Sequence, residues 1–175
     1  MPYPTVLAGQ RVTSTMLNAG KMEFVTNSAG SQDNTSTVFI NAVDLVFPVE
    51  ASSRYFVHAL ICYNAPEPVA NGDINFEWTG PSGATMDRNV ISPALGMTTN
   101  IDTNIQMIRR GIGTDVRSGG TTAPGTATAF TVHEEVCNLV VSTTAGNVQF
   151  RFALGAGVGT ATLQADSFIY YQRIA

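Results

Sequence analysis

Apolar and polar residues alternate with a period of two along most of this chain, the pattern of half-buried β-strands rather than of helices. Met22-Glu23-Phe24-Val25-Thr26 is the first such run, and a polar loop from Asn27 to Thr35 closes it. Val38-Phe39-Ile40 begins a second strand, and Leu45, Phe47 and Val49 alternate through a third. Pro48 within that segment predicts a sheet edge or a bulge, because proline cannot donate to a ladder. Tyr55 to Tyr63 follows as the densest apolar and aromatic run, and Asn71-Gly72-Asp73 signals a hairpin turn into Ile74, Phe76 and Trp78. Gly80-Pro81-Ser82-Gly83 ends that strand. From Met86 to Gly125 the pattern weakens. Ile101, Ile105 and Ile108 have helical spacing, but Ile101, Thr103, Ile105 and Met107 have strand spacing, and the threonine and asparagine around them favour strand. Ser118 to Gly125 reads as a loop. Phe130 and Val132, the run Val136 to Val141, the alternation Asn147 to Phe152, Ala161 with Leu163, and Ser167 to Ile174 supply the remaining strands. About eight to ten short strands at this spacing predict an all-β fold, an antiparallel β-sandwich of jelly-roll type.

Two segments depart from simple alternation. In Tyr55 to Tyr63 one face carries Tyr55, Val57, Ala59, Ile61 and Tyr63 and the other Phe56, His58, Leu60 and Cys62, so neither face reads as solvent-facing. Phe168 to Tyr171 is likewise apolar on both faces. Such strands belong mid-sheet with a partner over the second face. The expected oligomer interface therefore draws on Tyr55, Val57, Ile61, Tyr63, Phe168 and Tyr170. The other departure is at the N-terminus. Pro2 and Pro4 hold residues 1–10 extended and Gly9 permits a turn. Thr13 to Ala19 follows as the one short helix predicted, capped by Thr13 and stopped by Gly20, and too short to persist alone. The expected organisation is an attachment arm over 1–20, with Pro4, Gly9, Thr13, Met16 and Leu17 as its contact residues, and an autonomous sandwich over 21–175.

Composition sharpens the expectation of partners. Charged residues make up 13% of the 175-residue chain against 44% hydrophobic, where an ordinary soluble domain carries roughly 25% charge. A net charge of −4 with scattered arginines argues against a nucleic-acid groove. No apolar run approaches the roughly 20 residues of a membrane span. The opening Met1-Pro2-Tyr3-Pro4 lacks the features of a signal peptide, so synthesis in a cytoplasm is expected. Cys62 and Cys137, the two cysteines, both fall in predicted strands and are expected as buried free thiols rather than a disulfide.

Little chemistry is written in the motifs. His58 sits mid-strand and reads as a hydrogen-bonded core histidine, whereas His133 before Glu134-Glu135 is the better position for proton transfer or a metal. No spacing of paired metal ligands accompanies it, and no cofactor is expected. Gly155-x-Gly157-x-Gly159 lacks the following helix of a phosphate loop. No Gly-x-Ser-x-Gly elbow surrounds Ser82, Ser142 or Ser167. Asp33, Asp44, Asp73, Asp87 and Asp102 read as loop aspartates. The expectation is a protein that is not an enzyme. A hydrolase of cell-surface polymer would need a pair of carboxylates within mutual reach, and none stands out. A carbohydrate-binding module for host recognition would stack a sugar on Trp78, Tyr63 or Tyr3, although a lone tryptophan in an alternating strand is more often core.

One resemblance bears on these alternatives. Pro2-Tyr3-Pro4-Thr5, then Ala8-Gly9-Gln10-Arg11-Val12-Thr13, then Leu17-Asn18 resembles the opening of small virion proteins of bacteriophages, especially those infecting actinobacteria. Asp44 to Glu50, Ala165 to Phe168 and Tyr171 to Ile174 fit the same resemblance, while Met86 to Gly125 matches nothing in it. The resemblance implies a minor tail or minor structural protein whose body is a trimeric jelly roll of the C1q and tumour-necrosis-factor type. It implies a homotrimer in the virion, contacting other virion proteins of tail, baseplate or capsid; a host-surface glycan enters as a partner through the carbohydrate-binding alternative.

Overall fold

The computed structural model describes residues 8–11, 13, 21–28, 30–65, 73–95, 105–120, 131–155 and 159–175. Twelve strands lie within them: β1 (Met22–Thr26), β2 (Gln32–Asn34), β3 (Ile40–Val49), β4 (Arg54–Asn64), β5 (Asp73–Thr79), β6 (Thr85–Pro93), β7 (Ile105–Gly111), β8 (Val116–Gly119), β9 (Thr131–Val140), β10 (Gly146–Leu154), β11 (Ala161–Leu163) and β12 (Phe168–Arg173). The larger sheet runs β1-β12-β4-β9-β6-β7, with β11 beside β4 and β2 beside β11. The smaller sheet runs β3-β10-β5-β8. Every pairing is antiparallel. The principal strands cross repeatedly between sheets, giving the orders β1-β12-β4-β9 and β3-β10-β5-β8, a jelly-roll sandwich.

Alternation decides which side chains fill the space between the sheets. Tyr55, Val57, Ala59, Ile61 and Tyr63 of β4 face Phe47 of β3, Phe76 and Trp78 of β5, and Phe150 and Phe152 of β10 in one continuous core. Aromatic packing fixes that core: Phe47 stacks on Tyr171 at 4.3 Å, and Trp78 meets Phe150 edge-on at 4.9 Å. β4 lies between β12 and β9, as a strand apolar on both faces requires.

Pro48 sits in β3, an edge strand of the smaller sheet, as its missing donor dictates. The predicted strands beginning at Val38 and at Leu45 are one strand, with a register shift against β10 between Gln149 and Arg151. The Gln149 side chain donates to the carbonyls of Ala42, 2.8 Å away, and Leu45, occupying acceptors that the interrupted ladder leaves over.

Three expectations are corrected. Asn71-Gly72-Asp73 does not connect a hairpin, because β4 and β5 belong to different sheets. The predicted polar loop after β1 contains β2, which pairs with β11 through Gln32↔Leu163 to Asn34↔Ala161. Ser118 and Gly119 belong to β8 rather than to a loop. Among the described residues there is no helix; apart from Thr13, the predicted helix Thr13 to Ala19 lies outside them.

Candidate functional site

Two assemblies of side chains stand apart from ordinary packing, one inside the sandwich and one on its surface. The inner one centres on Glu135 of β9, which is fully buried. Arg88 of β6, also fully buried, donates to it from Nε at 2.8 Å and Nη2 at 2.7 Å. Trp78 Nε1 reaches the same carboxylate from the opposite sheet at 2.8 Å. His133 Nε2 lies 2.7 Å from it, and its Nδ1 lies 2.9 Å from the Ser118 hydroxyl on β8. A carboxylate only accepts, so Nε2 carries a hydrogen, and in the neutral ring Nδ1 accepts from Ser118. Burial alone would raise the Glu135 carboxyl, but the charge and hydrogen bonds of Arg88, aided by His133, hold it well below the usual carboxylate range.

Ser118, His133 and Glu135 have the residue types of a hydrolytic triad, yet all three are fully buried. In the triad mechanism serine bonds to Nε2, whereas here that nitrogen faces the carboxylate. What the cluster does is join the sheets. Trp78 and Ser118 come from the smaller sheet, Arg88, His133 and Glu135 from the larger. Arg88 also donates from Nη1 to the Thr114 carbonyl at 2.5 Å, tying down the link between β7 and β8.

The surface assembly is the outer face of the larger sheet. Strand register places its side chains in rows. One runs Phe24, Tyr170, His58, Val136, Asn89, Arg109, and the next runs Thr26, Phe168, Leu60, Glu134, Ile91, Met107. Cys62 beside Val132, and Pro93 beside Ile105, continue the apolar end. Phe24 is 61% exposed, Ile105 67% and Met107 78%, and Met22, Ile91 and Val132 are exposed on the same face. Tyr170 gathers Phe24 and Phe56 at 5.9 Å and His58 at 4.9 Å. Polar groups across the middle of the face come as pairs: His58 with Glu134 at 2.7 Å, and Arg109 with Asp87 at 2.9 Å.

The predicted interface residues divide between the two faces. Phe168 and Tyr170 lie on this outer surface. Tyr55, Val57, Ile61 and Tyr63 point inward and are buried in the core of a single chain, so their assignment to an oligomer interface is corrected. The residues left for that role are their neighbours in sequence, Phe56, His58, Leu60 and Cys62, all half-buried. The histidines exchange roles: His133 is the buried one, and His58 lies at the surface. Trp78 and Tyr63 are fully buried and present no stacking surface, while Tyr3 lies outside the described residues. Asp33, Asp44, Asp73 and Asp87 are strand residues rather than loop residues, and Asp102 lies outside the described residues.

Cys62 and Cys137 are free thiols on opposite faces of the larger sheet, Cys137 buried as expected and Cys62 only half-buried because it points to the outer face. Burial pushes both up, with Asp166 adding to the effect at Cys62 and Glu135 at Cys137. Of the attachment residues, Gly9 adopts φ +81° in a turn and Thr13 is described, whereas Pro4, Met16 and Leu17 lie outside the described residues. Among the described residues no helix is long and apolar enough to cross a membrane, and no group of three or more His, Cys, Asp or Glu could hold a metal ion.

No family model and no curated protein matches the chain. Among solved structures, the Eiger tumour-necrosis-factor protein from S. frugiperda is similar over 90% of this chain and 94% of its own, at 11% identity and a TM-score of 0.36. The VP2 subviral particle protein of infectious bursal disease virus is similar over 89% of this chain at 11% identity and a TM-score of 0.26. The chain spans 41% of that VP2 chain. At these scores the functional reading rests on this chain's own surface.

Proposed function

We propose that this protein is a structural subunit of a bacteriophage virion, in a tail, baseplate or capsid-decoration position, which self-associates as a trimer through the outer face of its larger sheet. The observation that carries the self-association is the exposure of Phe24, Ile105 and Met107 on one continuous face. A lone soluble domain rarely leaves so broad an apolar surface in water. The occupant is a second copy of this chain. The Arg109–Asp87 pair is internally neutral, and the Glu134 carboxylate already accepts a hydrogen bond from His58, so the face is chiefly apolar. The two ends of the rows also differ: aromatic Phe24, Phe168 and Tyr170 on β1 and β12, aliphatic Ile91, Ile105 and Met107 on β6 and β7. Head-to-tail packing of one end on the other closes a ring.

A standard interface covers about 800 Å² per partner, which the six strands of this face can supply. The virion assignment is supported by the opening motif and by the 13% charge content, unusual for a freely diffusing monomer. The proposed role is structural rather than catalytic, with residues 1–20 as the attachment arm. Immunogold electron microscopy of particles from the encoding phage tests the assignment. Gold at a fixed position on the particle, absent when Met107→Asp replaces the native subunit, is expected. Unlabelled particles, with the protein recovered only from the host lysate, would overturn it.

A further inference from the structure

Towards the other end of the same face the chemistry changes. Phe56, Asn138 and Asp87 lie in one row, and Val136, Asn89 and Arg109 in the next. Together they line a shallow hollow of about 340 Å³. This is the small end of the range for small-molecule sites, about 300–1,000 Å³. Phe56 and Val136 form its half-buried floor, and the four polar side chains are exposed around them.

We propose that this hollow binds a neutral carbohydrate. Its charges cancel, because among the described residues the ionised groups lining it are Asp87 and Arg109, already paired at 2.9 Å. An anionic ligand would have to compete with Asp87 for the guanidinium, and a cationic one with Arg109 for the carboxylate. A neutral polyol competes with neither and can bridge both. The side-chain amides of Asn89 and Asn138 make no hydrogen bond to other described residues of the chain. Each amide offers an acceptor and two donors on one plane, and Asp87 and Arg109 add further planar acceptors and donors. Adjacent hydroxyls on a sugar ring present the complementary set at matching spacing. The Phe56 ring and Val136 supply an apolar floor for the C–H face of the same ring. One apolar patch surrounded by planar polar groups discriminates a sugar from a purely apolar ligand, which would leave four polar groups uncovered.

The hollow shares Val136, Asn89 and Arg109 with one row of the self-association face and lies off the apolar row of Leu60, Ile91 and Met107, so it is open to a sugar where packed copies leave that end uncovered. An open site of this size binds one sugar weakly, and repeated copies on one particle would raise the avidity.

The test is saturation-transfer difference NMR on the full chain with methyl α-mannoside, methyl β-galactoside, methyl β-glucoside and methyl N-acetyl-β-glucosaminide, and with N-acetylneuraminate as the anionic comparison. At least one neutral glycoside is expected to give signal, with transfer strongest from the hollow's apolar floor to the ring C–H protons. The double variant Asn89→Ala/Asn138→Ala should lose about fivefold or more of that signal. Both positions are exposed, so unchanged circular dichroism is expected of the variant. Val132→Ser, at the apolar end, should leave the signal unchanged. Absence of signal from all four neutral glycosides, an undiminished signal in the double variant, or stronger binding of N-acetylneuraminate would each overturn the proposal. Binding by a chain that proves monomeric would retain it while removing the self-association reading.

Discussion

Replacing Glu135 by glutamine tests whether the buried cluster holds the two sheets together. The wild-type carboxylate accepts from Arg88 twice, from Trp78 and from His133, all within 2.7–2.8 Å. Glutamine keeps the shape but offers one acceptor atom and turns an NH2 group towards the remaining donors. It also leaves the Arg88 guanidinium, fully buried, without its counter-charge. Removing one partner of a buried pair costs about 3–5 kcal/mol, a large part of the 5–15 kcal/mol that holds a typical domain. At roughly 2–4 °C per kcal/mol for a chain of this size, the midpoint should fall by roughly 6–20 °C. Thermal unfolding followed by tryptophan emission reads that midpoint, and urea unfolding with the same probe reads the free energy, because Trp78 is the sole tryptophan and lies in the cluster. Protein concentration must be held constant, since self-association adds to apparent stability.

The pH dependence supplies a second reading of the same variant. The folded Glu135 carboxyl is held below its unfolded value, so its contribution is fully present above about pH 5 and is lost as pH falls through the unfolded value near 4.3 towards the folded one. The gap between wild type and Glu135→Gln should therefore narrow between neutral pH and about pH 3. A loss under about 1 kcal/mol at neutral pH, or a gap that is independent of pH, would refute the reasoning.

Two further outcomes follow from the same geometry. Cys137, 2% exposed, should react with a thiol reagent only on denaturation, whereas Cys62 on the outer face should react slowly in a dissociated chain and be shielded in the assembly; equal rates for both thiols would contradict the assignment of faces. A chain beginning at Lys21 should keep β-rich circular dichroism and its oligomeric state yet fail to enter particles, and normal incorporation would remove the arm from the attachment role.

The sandwich was legible because its strands obey a period of two. β1 coincides with the predicted run, and the alternation in Ile74-Asn75-Phe76-Glu77-Trp78 places the right residues in the core. β2, Gln-Asp-Asn, was not legible, since its polar side chains pair by backbone with β11 and carry no pattern of their own. The four inward residues of β4 were misassigned for a different reason. When both faces of a strand are apolar, the pattern cannot say which faces the second sheet. The partner strands decide that, and they come from distant sequence.

The buried cluster did leave a signal. Arg88 is in phase with Met86 and Val90, and Glu135 with Cys137 and Leu139, all buried. One inward-phased charge in each of two strands, of opposite sign, is the mark of a paired buried ion. The polar hollow left none, because exposed asparagines on separate strands become neighbours only through register.

The central claim, that the outer face of the larger sheet joins copies of this chain, is tested most directly by light scattering coupled to size exclusion. The native chain should elute with three times its 18.6 kDa mass. The double variant Phe24→Asp/Met107→Asp, altered at exposed positions outside the core, should elute at the mass of one chain with unchanged circular dichroism. A native chain that stays monomeric at micromolar concentration, or a double variant that remains trimeric, would contradict the account.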